Sequence, residues 1–243
     1  MDTRINVLDH GYVILRNISG PTRRGDSFFD ADDTDPANAA RISFDGNDQN
    51  RPREDDLKLA KYLLKNAHTS PWEMIEVWLE MKMPIFCARQ FVRHRTASLN
   101  EMSARYTEMP DDFYIPDPAI VGIQSSSNKQ ARVVTDISTE EYENAFNYCE
   151  ALREHSQESY AKYQKALSDG IPRELARCLL PVNIYTKWIW KQNLHNLMHM
   201  MSLRLHSHAQ YEAQQYGQAI YDLLKQILPN CMELFDAYRR KKE

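Results

Sequence analysis

Glycine is scarce, with 7 among 243 residues, and no stretch reads G-x-G-x-x-G or G-x-x-x-x-G-K. That excludes the glycine turn of a Rossmann fold and the P-loop, so a nucleotide would have to be held by side chains. The 4 cysteines (Cys87, Cys149, Cys178, Cys231) show no C-x-x-C spacing. This argues against a zinc site or a disulfide frame and for reduced thiols in a cytoplasmic protein. No apolar run approaches membrane-spanning length, and MDTRINVLDH at the start lacks the apolar stretch of a signal peptide. With 30 Lys and Arg against 34 Asp and Glu, the formal net charge is -4. Neither a nucleic-acid nor a membrane partner is expected.

What is present is a local concentration of positive charge. From Arg89 to Tyr106 the chain runs RQFVRHRTASLNEMSARY. Arg89, Arg93, His94, Arg95 and Arg105 stand against a single acid, Glu101, with Ser98, Asn100 and Ser103 between them. The planar fork of arginine grips phosphate through paired hydrogen bonds and stays charged. Phe86, Phe91 and Val92 interleave with these residues, so one side of the segment should be buried. A buried arginine needs a partner, and Glu101 cannot serve four. A bound anion is the economical reading, against a solvated basic helix end or a nucleic-acid backbone contact.

Periodicity and punctuation predict the frame. Ile5–Leu8 and Tyr12–Asn17 read as strands joined at Asp9-His10-Gly11. Residues 20–36 read as a loop, with Asp35-Pro36 opening a short helix toward Ile42. A second loop runs from Gly46 to Pro52, and Asp55–Asn66 has helical spacing. His68 to Glu73 reads as loop. Ile75, Val77, Leu79, Met81 and Met83 alternate with polar or bulky neighbours, the pattern of a strand with one buried face. Pro84 starts a helix through Phe91 to about Arg95. Phe113–Pro116 is extended, and residues 117–137 form a polar insertion, either plain surface or an active-site flap.

Ser138-Thr-Glu-Glu141 fits a capping box opening a long helix through Ser168, closed by Gly170. Tyr142, Phe146, Cys149, Leu152 and Tyr160 give it an apolar stripe. Pro172 begins a short helix with Arg173 and Arg177 on one face. Asn183–Lys191 reads as a strand, followed by one long helix, roughly Gln192 to Leu228, carrying His195, His199, Arg204, His206 and His208. His195 and His199 share a face, but no H-E-x-x-H glutamate or further carboxylate accompanies them, and no metal is expected. Cys87 and Cys178 lie in apolar helical contexts and should be core. Ser103 lacks an oriented base, so it reads as a hydrogen-bonding ligand and not a nucleophile. The fold class expected is α+β: a single domain, residues 1–243, with a mostly antiparallel central sheet and long flanking helices.

The segment RHRTASLNEMSARY (93–106), with GIPRELARCLLP and LRLHSHAQYEAQQY further on, resembles the signature of the flavin-dependent thymidylate synthases. The resemblance spans roughly residues 5 to 235. It implies reductive methylation of dUMP to dTMP, with 5,10-methylenetetrahydrofolate as one-carbon donor, FADH2 as hydride donor and NADPH re-reducing FAD. It places Gln90, Arg93, Glu101, Met102, Ser103, Ala104, Arg105, Arg177 and Arg204 on dUMP. Arg177 is the second arginine of P-R-E-x-A-R, and the backbone of 102–104 forms an anion nest. Arg204 becomes the catalytic residue, set against the uracil ring to stabilise developing negative charge without an enzyme nucleophile. It places His68, Ser70, Arg93, His94, Arg95, Glu101, Asn193, Leu194, His195 and His199 on FAD, Ser70 being the hydroxyl of an H-x-S/T-P-x-E loop. It also implies a homotetramer with active sites shared between subunits. The chain departs from the pattern at His195, where some relatives carry Arg, at His199, where some carry Asn, and at His206, where an acid is usual. Two other readings stay open: a nucleotide-binding module without flavin, and an RNA-binding protein, although no RRM, KH or OB pattern is present.

Overall fold

Two nine-residue strands, hydrogen-bonded along their full length, form the spine of the chain. The computed structural model describes residues 3–22, 30–44, 51–129, 131–134 and 137–240. In chain order these hold β1 (Arg4–Val7), β2 (Gly11–Ser19), α1 (Asp35–Arg41), α2 (Arg53–Lys65), a 3-10 turn at Ser70–Met74, β3 (Glu76–Pro84), α3 (Ile85–Phe91) and β4 (Ser98–Glu101). There follow α4 (Pro118–Val121), β5 (Ile123–Gln124), β6 (Arg132–Val133), α5 (Thr139–Ser168), α6 (Arg173–Ala176), a 3-10 turn at Arg177–Leu179, β7 (Tyr185–Asn193), α7 (Leu194–Arg204), α8 (Tyr211–Ile227) and α9 (Pro229–Tyr238). The five-stranded sheet has the order β1-β2-β3-β7-β4, with every pairing antiparallel. This is the α+β arrangement expected, with β5 and β6 as a separate hairpin.

The alternation in β3 sends Val77, Leu79, Met81 and Met83 into the core. Across the pairing, Leu79 faces Trp190 and Met81 faces Trp188, and both tryptophans are buried. Such cross-strand apolar pairs are the unit of sheet stabilisation. Phe91 meets Trp190 edge-on at 6.1 Å and Tyr216 at 6.2 Å between ring centroids, which ties α3 to β7 and α8. In β2 the register shifts between Leu15 and Asn17. The extra residue, Arg16, turns outward to pair with Glu80, while Leu15 and Ile18 both stay buried.

The capping box at α5 is present: Glu141 N donates to Ser138 Oγ at 3.2 Å, and Ser138 N donates to Glu141 Oε2 at 2.7 Å. The helix ends at Ser168 with Gly170 at φ 83°. Its buried face differs from the expected stripe. Ala145, Cys149, Ser156, Ser159 and Tyr163 face inward, whereas Tyr142 and Phe146 are 44% and 48% exposed. Apart from Tyr163, the inward residues are small, and the rings of Tyr142 and Phe146 are turned outward.

Other expectations are corrected. The single helix over 192–228 is two helices, broken after Arg204 although residues 205–210 hold neither glycine nor proline. Side chains replace the helical bonds there: His208 N donates to His206 Nδ1, and Gln214 Nε2 donates to the carbonyls of Ser207 and Ala209. The helix after Pro84 stops at Phe91, and residues 98–101 form a strand on the sheet edge. The segment 68–73 is partly a 3-10 turn. Cys178 is exposed, while Cys87, Cys149 and Cys231 are buried. The arginines of the signature are exposed, not buried: Arg89, Arg93, Arg95 and Arg105 all face outward. Of the expected loops, residues 23–29 and 45–50 lie outside the described residues, as do 130, 135 and 136 of the insertion.

Removing the Ser138 hydroxyl tests the capping box. Ser138→Ala should cost about 1 kcal/mol, read as a lower midpoint in chemical denaturation with the helical content of the native state retained.

Candidate active site

β3 and β7 are antiparallel, so the helices that follow them start at opposite ends of the pair. Nine residues of strand span about 30 Å. From one end α7, with 11 residues, advances about 16 Å. From the other α3, with 7 residues, advances about 10 Å. The two C-terminal ends therefore meet over the middle of the sheet, and their contact is Arg204. Its Nη2 donates to the Gln90 carbonyl at 2.9 Å, Nη1 to Gln90 Oε1 at 3.4 Å, and Nε to His94 Nε2 at 3.3 Å. The guanidinium carbon lies 5.9 Å from the Phe91 ring centroid, within cation–π range. Gly217 makes room on the α8 side: a Cβ there would come within 3.2 Å of Arg204 Cβ.

Every one of these partners is neutral, and among the described residues no carboxylate pairs with Arg204. Its side chain is half-buried, and burial lowers its pKa, yet a guanidinium keeps its proton at any physiological pH. The result is a fixed, uncancelled positive charge. His94 completes the arrangement as an acceptor. Burial first, then the charges of Arg204 and His199, push its pKa down to about 4. The imidazole is therefore neutral at pH 7 and offers Nε2 as a lone pair.

A second group lies elsewhere on the chain. Glu101, Met102, Ser103, Ala104 and Arg177 line one cavity of about 500 Å³, with Thr186 in its wall. Thr186 Oγ1 donates to Glu101 Oε1 at 2.5 Å, which fastens the end of β4 to β7. The Met102 N–H is spent on the Lys187 carbonyl at 2.8 Å. Of the expected nest, the N–H groups of Ser103 and Ala104 have no hydrogen-bond partner among the described residues. Arg177 Nε donates to the Glu174 carbonyl at 3.2 Å, and Arg105 stands 3.6 Å from the Glu174 carboxylate. The structure thus brings Ser103 and Arg177 together. Gln90, His94 and Arg204 do not line that cavity.

A third group surrounds the start of α7. Asn193 accepts from Asn196 N at 2.9 Å and acts as the helix N-cap. Leu194 is fully buried, and its N–H donates to the Ile75 carbonyl at 2.8 Å. His195 and His199 line a cavity of about 240 Å³ with Ser202 and Arg239. Burial lowers the His195 pKa, Glu73 opposes the shift, and Arg239 and His199 add to it. Ser70 lines a larger cleft, about 710 Å³, with Thr22, Asn38 and Met74. His68 is exposed beside Tyr62, at 5.9 Å between ring centroids. The 3-10 turn that carries Ser70 packs against α7. Hydroxyl, amide, imidazole and guanidinium donors along this wall, with exposed Arg93 and Arg95 further on, fit the hydrogen-bonding needs of a flavin dinucleotide. The wall is open, and a second surface would have to close it.

Two residues linked to Arg204 through Gln90 were not singled out from the sequence. Gln210 and Glu212 sit in the stretch SHAQYE, and Gln90 Nε2 donates to Gln210 Oε1. A polar pair at the start of an apolar helix was the available signal.

A family model described as "Thymidylate synthase complementing protein" matches residues 27–230. The chain is 39% identical to the flavin-dependent thymidylate synthase of Rickettsia bellii, over 97% of this chain and 79% of that one. It is 37% identical to the one from Treponema denticola, over 99% of this chain and 84% of that one. It is also similar to the crystal structure of a UMP/dUMP methylase, PolB, from Streptomyces cacaoi bound with 5-Br dUMP, with a TM-score of 0.80 and 28% identity over 98% of this chain and 100% of that one.

The lowered pKa of His94 has a consequence for stability. The unfolded chain takes up this proton near pH 6.5 and the folded chain only near pH 4, so the folded state loses stability as pH falls through that window. His94→Gln, which keeps an acceptor but cannot titrate, should show a smaller drop in melting temperature between pH 7 and pH 4.5 than the wild type. Equal drops would mean that His94 does not carry the effect.

Proposed function

The chain belongs to the flavin-dependent thymidylate synthase family, and from that premise we propose that it methylates dUMP to dTMP as a single domain spanning 1–243. 5,10-Methylenetetrahydrofolate is the one-carbon donor, and FAD, when bound and reduced by NADPH, supplies the hydride. The observation that carries the reading is the anchored, uncancelled charge of Arg204. C5 of uracil is a weak nucleophile, and it can attack the one-carbon unit only when negative charge has built up over the ring, as in an enolate. A preorganised cation beside the ring stabilises that charge without having to reorganise. Gln90, fixed by the same contacts, presents its amide to the pyrimidine. The Ser103 and Ala104 N–H groups, with Arg177, Arg105 and Arg93, take the phosphate. Ser70, His68, His94, Arg95, Asn193, His195 and His199 form the flavin wall, with Glu101 at the border of the two sites.

The assembly belongs to the same proposal. The charge that acts on the base and the cavity that takes the phosphate are separate in one chain. Near the cavity, Tyr106, Leu175 and Val182 are 82%, 61% and 61% exposed, an apolar surface that marks a contact. A homotetramer in which one subunit's Arg204 faces another's Ser103 and Arg177 completes the site and covers these side chains.

Formation of dTMP that requires dUMP, methylenetetrahydrofolate, FAD and NADPH is the direct test; no dTMP from the purified wild type removes the reading. Arg204→Ala should lower turnover by roughly 100-fold or more with the flavin spectrum intact, and Arg177→Ala should weaken dUMP binding and, with it, activity at low dUMP. Refolding the two variants together should restore about a quarter of the sites, the fraction in which both contributing subunits are intact. No recovery on mixing would put both residues of a site in one chain.

A further inference from the structure

Glu212 is 1% exposed, yet it is a carboxylate with three donors around it. Tyr114 Oη donates to its Oε1 at 3.0 Å, Arg132 Nη2 to the same oxygen at 2.9 Å, and Gln210 Nε2 to Oε2 at 2.8 Å. The chain of bonds continues: Gln90 Nε2 donates to Gln210 Oε1, and Arg204 Nη1 donates to Gln90 Oε1. Every link runs in one direction. A primary amide can present either end, its oxygen or its NH2 group, and the two have nearly the same shape. The choice is made at the two ends of the chain of bonds: Arg204 can only donate, which calls for the Gln90 oxygen, and Glu212 lies at the other end. A carboxylate in this position can only accept, so the amide next to it must turn its NH2 group inward and its oxygen outward, and the next amide must follow.

We propose that Glu212 is a positioning residue that sets the orientation of the Gln90 amide at a distance, through Gln210, and so presents Gln90 Oε1 to Arg204 and to the pyrimidine side of the site. Arg132 extends the relay to the insertion. Its guanidinium lies 5.1 Å from the Tyr211 ring centroid while it pairs with Glu212, so the β5–β6 hairpin is clamped to the same carboxylate. The role of Gln90 toward a nucleotide rests on the proposed function; the direction of the relay does not.

Glu212→Gln is the sharp test because it changes no shape. Its Oε1 can keep Tyr114 and Arg132, but its NH2 group then faces Gln210. Gln210 flips to meet it, and a donor then faces a donor either between Gln210 and Gln90 or, if Gln90 follows, between Gln90 and the Arg204 guanidinium. The swap Gln210→Glu with Glu212→Gln restores the direction, because an acceptor again faces Gln90. In thermal denaturation of the unliganded protein, Glu212→Gln should lower the midpoint by several degrees, the swap should recover most of that, and the loss should shrink in a Gln90→Leu background. By titration calorimetry, Glu212→Gln should bind dUMP about tenfold more weakly, the effect of a donor left facing a donor in a shielded site, and the swap should recover it. A swap no better than the single change would overturn the relay and leave only the Arg132 ion pair. A single change indistinguishable from wild type in midpoint would overturn it as well. A wild type that binds no dUMP would remove the function proposed above, and the denaturation series would still decide the relay.

Discussion

The β3–β7 pairing is the constraint on which the candidate site depends. It fixes a distance along the sheet and two starting points for helices, one at each end. The lengths of α3 and α7 then decide where their last turns come to rest. Because the register runs unbroken from Glu76 opposite Asn193 to Pro84 opposite Tyr185, those lengths translate directly into a meeting place. Trp188, Trp190 and Phe91 hold the helices down at that place, and the backbone of a rigid sheet, not of a loop, sets the position of the guanidinium.

The arginines divide into two kinds. Arg204 is half-buried, held by neutral acceptors and shaped by packing on both sides. Arg89, Arg93, Arg95 and Arg105 are exposed, and Arg105 has only a loose partner in Glu174. Half-burial without a counter-charge costs solvation, and the protein accepts that cost at Arg204. The exposed arginines are the opposite case: they cost little in the free chain, and in the proposed site their partners come from a ligand or a neighbouring subunit. The proposed site, built from both kinds, is rigid where charge develops and adaptable where a phosphate arrives.

Much of this was legible in the sequence, for identifiable reasons. Strict alternation gave β3, an S-x-x-E spacing gave the start of α5, and Gly170 gave its end. The cluster at 89–106 and the PRELAR stretch pointed to Ser103 and Arg177, which do share a cavity. What was not legible depends on tertiary partners. The break after Arg204 has no glycine or proline to announce it and is maintained by the side chains of His206 and Gln214. The outward turn of Tyr142 and Phe146 follows from which face of α5 meets the rest of the chain, and periodicity alone gives no rank to the two faces. Cys178 sits in an apolar run that happens to form an exposed 3-10 turn. The roles of Gln210 and Glu212 depend on who donates to whom, and no spacing rule carries that information.

The strongest contact of Arg204 is to a main-chain carbonyl, that of Gln90 at the last turn of α3. A carbonyl oxygen has no proton to gain and no side chain to lose. Any residue placed at 90 that lets the helix end there keeps it. The anchorage of the charge is therefore inherited from where a helix stops, and only its fine alignment from which amino acid stands at the stop. In the proposed site, drift at position 90 can alter what the pyrimidine meets while the guanidinium stays in place, which makes recognition of the base and stabilisation of its charge separable in evolution.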